Sequence, residues 1–293
     1  MRKVSLQLSR FHLYFPKSIA QENRMFNVKE APWKIILVYL LVSTCLTSLI
    51  NLVLFPSPFF DPIANATGNL IDATLQANVL NILLFVLIVF GWGKLRPIDV
   101  GLDWSKVKHG LSLTALLWIA TQAIILLINW INGDIRLDPV WSERGVTAVL
   151  GALIAQLLGN AFSEEMGYRG FYLSQFYLKI KTQNEGDRRI WSVFAMLILF
   201  ILSHIPNLIF RGYALAGLPL DFTLLFIWGL FFTAVYFVSG NLFLAIGVHA
   251  LMNKPTMITE STFPAGILVA LLALILIISM GKRKRKTATP VQS

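Results

Sequence analysis

Glu164 and Glu165 stand side by side, Arg169 follows four residues after Glu165, His204 and His249 come later, and Asn253 follows His249 by four. These are side-chain types for proton transfer. A carboxylate can act as a base on water or substrate, while imidazole and amide groups can donate hydrogen bonds to developing charge. All six lie in or beside stretches that otherwise read as membrane-spanning helices. An ionisable group in hydrocarbon loses solvation worth roughly several kcal/mol, so such residues turn toward protein or a water-filled cavity and mark functional sites.

Within Ser163-Glu164-Glu165-Met166-Gly167-Tyr168-Arg169, helical spacing puts Glu165 and Arg169 on one face, where they can pair. Glu165 is then structural. Glu164 is rotated by about 100° and is the freer carboxylate, so the base role falls to it. Depth can be read from the charged segments. Glu164 precedes Lys179 by 15 residues and His204 follows Arg189 by 15, so on antiparallel helices each lies about 22 Å from the same basic face. His249, ten residues beyond Ser239, is about 15 Å along its helix and joins them if the Ser239-Gly240-Asn241 turn sits inside the surface. The groups then share one intramembrane pocket.

Helices must position them. The chain is 56% hydrophobic, only 14% charged, and has a mean hydropathy of +0.68, values of a polytopic membrane protein rather than a soluble domain. The spacing predicts spans at 33–55, 71–92, 111–131, 145–166, 190–209, 219–238, 241–253 and 264–280, about eight helices with the seventh short. The fold class is all-α. The expected organisation is a basic arm over 1–32, three spans over 33–144, a catalytic core over 145–257, and a last span with a basic tail over 258–293.

The net charge of +10 comes from short basic segments between apolar runs, which suit lipid headgroups and make nucleic acid an unexpected partner. With the N-terminus in the cytoplasm, twenty Lys and Arg fall inside and four, Arg136, Arg144, Arg211 and Lys254, outside. Both termini are therefore expected to be cytoplasmic; in a prokaryote the membrane would be the plasma membrane. The single cysteine, Cys45, excludes a disulfide framework. His12 and His109 fall in basic segments outside the spans, and Asp221 reads as a helix-start carboxylate.

Together EExxxR at Glu164 to Arg169, FxxxH at Phe200 to His204, and HxxxN at His249 to Asn253, on successive predicted membrane helices, resemble the CPBP (Abi) family of intramembrane proteases. That family includes the Ras-converting CAAX endopeptidases and bacteriocin-immunity proteins. The resemblance covers about 145–257. It implies hydrolysis of a peptide bond in a helical membrane cavity, with Glu164 activating water and His204 assisting. His249 and Asn253 would stabilise the oxyanion, while Glu165 and Arg169 would support the first motif. It also implies a peptide or protein substrate, prenylated or otherwise membrane-anchored, although no residue reports a prenyl pocket.

Members of the family are named metalloproteases. Glu164, His204 and His249 with water are a legitimate zinc set, drawn from three helices because the chain lacks HExxH. A metal-free glutamate mechanism fits the same residues equally well. Two rival readings remain. A transporter or proton relay should show related halves, and no such symmetry is visible. A non-catalytic scaffold or immunity protein would keep the motifs without using them.

Overall fold

The computed structural model describes residues 28–212 and 217–288, with side chains described as far as Lys284. The basic arm up to residue 27, with His12, and the end of the tail lie outside the described residues. Among the described residues there is no strand, and one isolated bridge joins Leu137 to Thr259.

Seven helices are long and apolar enough to cross a membrane: α1 (Trp33–Leu54), α2 (Ala73–Trp92), α3 (Trp104–Ile131), α4 (Val146–Lys179), α5 (Glu185–Phe210), α6 (Leu218–Ser239) and α8 (Ala265–Lys284). Between the last two lies α7 (Leu242–Asn253), apolar but only 12 residues long. At about 18 Å it is too short to cross a core of roughly 30 Å by itself, and the non-helical segment after it completes the passage to the far end of α3, where the Glu260 carbonyl accepts from Asn129 at 2.7 Å. The predicted short seventh span is this helix, and every residue from Leu242 to Leu251 is buried. A helix apolar on all sides belongs inside a bundle. Here α7 packs against α3, α4, α6 and α8. Gly247 permits the approach to α3, because a Cβ there would fall 1.8 Å from the Thr114 hydroxyl.

Trp33, Trp92, Trp130 and Trp191 are all at least half exposed at the span ends. This is the placement expected of indole rings in a headgroup layer. The chain is an integral membrane protein.

Two features that serve the site differ from the sequence expectation. Predicted to end at residue 166, the fourth span continues to Lys179 as a 34-residue helix. The charge and glycines after Glu165 suggest a stop, but the buried Arg169 is satisfied within the bundle and Gly170 closes against the Val100 carbonyl of the α2–α3 loop. In addition, α4 carries π-helical turns at Ala155–Asn160 and Met166–Tyr172, on either side of the short α-helical stretch Ala161–Glu165. Such widened turns often occur at functional sites, and these two flank the paired carboxylates.

Candidate active site

The six predicted residues divide into a sealed support and an open row. Glu165 and Arg169 are fully buried, and the Arg169 guanidinium donates to Glu165 Oε1 at 3.0 Å. It also donates to the Gly229 carbonyl at 2.9 Å and to Thr233 Oγ1 at 3.5 Å, both on α6. The aromatic rings of Phe200 and Phe232 lie 4.7 and 5.6 Å from the guanidinium carbon. This enclosure gives a buried cation the partners it needs. Gly229 is small because an added Cβ would meet Leu197 at 2.6 Å.

The same Glu165 oxygen lies 2.8 Å from His249 Nδ1. A carboxylate paired with arginine can only accept, so His249 Nδ1 carries the proton. Phe232 stacks on the imidazole at 4.2 Å between centroids and an interplanar angle of 16°, fixing the ring. Buried residues Ser239 and Asn241 recess the turn before α7, and Lys106 donates to the Gly240 carbonyl at 2.8 Å. That recess is what His249 needs to reach the depth of the other motifs.

His204 is positioned by a broken helix. Pro206 has no N–H, so α5 is interrupted at His204, whose own N–H bonds Ile201 O rather than continuing the α pattern. The freed Phe200 carbonyl accepts from His204 Nδ1 at 2.7 Å and from Ser203 Oγ at 2.8 Å. The Tyr168 hydroxyl donates to Ser203 Oγ.

Both imidazoles thus use Nδ1 as donor and turn Nε2 toward Glu164. His204 Nε2 is 3.9 Å from Glu164 Oε1, and His249 Nε2 is 3.9 Å from Glu164 Oε2. These gaps are too long for direct hydrogen bonds and short enough for a bridging water. Glu164 Oε2 is buried and has no hydrogen-bond partner. Asn253 is exposed at the cavity edge, where its amide donates to Gln156 Oε1 at 3.0 Å.

Glu164, His204, His249 and Asn253 all line one cavity of about 1060 Å³. Its basic-side end is closed by Tyr39, which stacks on Tyr172 at 5.6 Å, with Tyr172 in turn stacked on Phe176. At the other end the lining residues Arg211, Asn253 and Pro264 are exposed. The cavity also opens sideways, since Thr44 of α1 and Leu202 of α5 line it and are exposed. Beyond that slot the two helices close together through an Asn207-to-Asn51 hydrogen bond of 2.9 Å and the Phe55–Phe210 ring contact.

Sequence reasoning did not single out Gly229, Phe232 and Thr233 of α6, or the amides Asn51, Asn78, Asn81 and Gln156. The α6 residues carry no mark within an apolar run. The amides did carry a signal: polar side chains within predicted spans.

Residues 146–254 match the family model described as type II CAAX prenyl endopeptidase, Rce1-like. Over that stretch the chain is similar to this membrane-protease family. No curated protein and no solved structure matches the chain significantly. The matched segment holds all six motif residues and ends just past Asn253.

The donor types at Glu164, His204 and His249 suit zinc, and both Nδ1 atoms are held as those of metal-bound histidines are. Their arrangement does not suit it. Among the described residues no three His, Cys, Asp or Glu side chains are grouped so as to hold a metal ion. The two Nε2 atoms face different oxygens of Glu164 across gaps of 3.9 Å.

Proposed function

We propose that the protein is an intramembrane endopeptidase in which Glu164 activates water against a peptide carbonyl. The reading is carried by the buried, unpartnered Glu164 carboxylate oxygen set between two oriented imidazoles on the cavity wall. Glu164 takes a proton from water, the resulting hydroxide adds to the scissile carbonyl carbon, and the carbonyl oxygen becomes the oxyanion. The second amide hydrogen of Asn253 donates to it. His249, its ring fixed at Nδ1 by the Glu165 carboxylate, turns Nε2 toward the same space. The proton held by Glu164 then passes to the leaving nitrogen, with His204 Nε2 placed to assist, and the C–N bond breaks.

The substrate is a peptide or protein held at the membrane. The family's description supports a prenylated one. With both termini cytoplasmic, the open end of the cavity lies on the face that carries only four of the basic residues.

Purified protein in lipid, offered a quenched fluorescent peptide, should lose at least about 100-fold in kcat/KM on Glu164→Gln and on His204→Ala. Undiminished cleavage by either variant overturns the mechanism. Activity and elemental content measured before and after chelation test the metal independently.

A further inference from the structure

The part of the cavity wall that comes from α1 and α2 is polar without being charged. Two of its amides are spoken for. Asn51 donates to Thr47 O and accepts from Asn207, each at 2.9 Å, and Asn78 donates to Thr74 O at 2.9 Å and accepts from Ser163 Oγ at 2.7 Å. Asn81, one turn along α2 from Asn78, lines the cavity and makes no hydrogen bond to another described residue. An amide in a membrane span that is turned to a cavity and unused within the protein is available to what enters it, and such residues mark ligand sites.

Its depth is fixed by the way α2 runs along α4. Leu70 sits against Gly151, Leu75 against Gly159, and Asn78 is bonded to Ser163, so the two helices advance in the same direction. Three residues, or about 4.5 Å, beyond Asn78 places Asn81 at the level of Glu164 to Gly167. It therefore stands on the cavity wall at the depth of the water-activating carboxylate.

A carboxamide has both acceptor and donor hydrogens, and can pair with the N–H and C=O of an extended main chain. The protein already does this once. Fully buried Gln175 accepts from Ala31 N at 2.7 Å and donates to Lys29 O at 3.1 Å, holding that non-helical segment by its backbone. Around Asn81, Glu164, His204, His249 and Arg211 are the only Asp, Glu, Lys, Arg or His side chains among the described lining residues, and Arg211 is at the open end. Apart from Glu164, which the reaction uses, no carboxylate among the described residues lines the cavity, and its one lining Lys or Arg is at the open end.

We infer that Asn81 binds the substrate's main chain beside the scissile bond, so that the site accepts an unwound stretch of uncharged residues. A helical segment would not serve, because its N–H and C=O groups are already bonded to each other. The inference rests on the peptidase reading and adds a binding residue to it.

The experiment replaces the main-chain amides around the cleaved bond with esters, one at a time, leaving the scissile amide intact. Cleavage by wild type and Asn81→Ala is then compared, with Asn81→Leu as a second variant should the first be unstable. For the all-amide peptide, the variant should raise KM about tenfold and leave kcat within about twofold. One ester position should raise the wild-type KM by a similar factor and have no further effect in the variant. An unchanged KM in Asn81→Ala, or an ester penalty equal in both proteins, overturns the inference. If wild type cleaves nothing and Glu164→Gln matches it, the peptidase reading fails by itself. Fluorescence anisotropy with the same labelled peptides then decides the subsite: weaker, ester-insensitive binding by the variant keeps it, and equal binding removes it.

Discussion

Glu165 and Glu164 differ by one position and by everything around them. Glu165 balances the buried Arg169 and orients His249. Removing it leaves a cation in the core with its main partner gone, a loss of about 3–5 kcal/mol. Glu165→Ala is therefore expected to lower the thermal unfolding midpoint in detergent by many degrees, whereas Glu164→Gln should leave it nearly unchanged while abolishing cleavage. Equal midpoints for the two variants would refute this division. The division was legible in the sequence, because the interval from Glu165 to Arg169 is a helical neighbour spacing and that from Glu164 is not. The rings and carbonyl that complete the enclosure were not legible, since Phe232 and Gly229 look like any other residues of an apolar helix.

A second carboxylate, Asp99, ties the α2–α3 loop to the segment before α1 by accepting from Lys29 N and from the Arg96 backbone and guanidinium. Burial pushes its carboxyl upward, but the Arg96 hydrogen bonds and charge outweigh burial and hold it below the ordinary range. Its contribution is present above the ordinary carboxylate range and is lost as pH falls through the lowered folded value. The unfolding midpoint of wild type should fall on acidification relative to that of Asp99→Asn; parallel pH curves would rule this out.

Among the helices, α7 is held by exclusion of bulk. Gly247→Ala would drive a methyl group into Thr114 of α3, costing about 1–3 kcal/mol. A lowered unfolding midpoint, with activity falling alongside it as His249 shifts, is expected; an unchanged midpoint would show that α3 gives way. The helix was legible as a short apolar segment because Asn241 and Asn253 bracket it. Two other features escaped sequence reading for one reason. The π-helical turns of α4 and its extension to Lys179 lie where it meets other elements, Gly159 against Asn78 of α2, Arg169 on the Gly229 carbonyl of α6 and Gly170 on the α2–α3 loop, and helix periodicity carries no record of distant partners.

At the scale of the whole molecule, the excess of basic residues on one side predicts that the cavity opens away from the cytoplasm. With Cys45 replaced by serine, a cysteine at Thr262 should react with a membrane-impermeant maleimide in intact cells. One at Lys181 should react only after permeabilisation. The reverse pattern would turn the protein over. The slot between Thr44 and Leu202 has a kinetic consequence of its own. A substrate that arrives through it searches in two dimensions, so turnover follows the substrate's mole fraction in the bilayer rather than its concentration in the suspension. Adding inert lipid at fixed total substrate would slow the reaction by surface dilution alone.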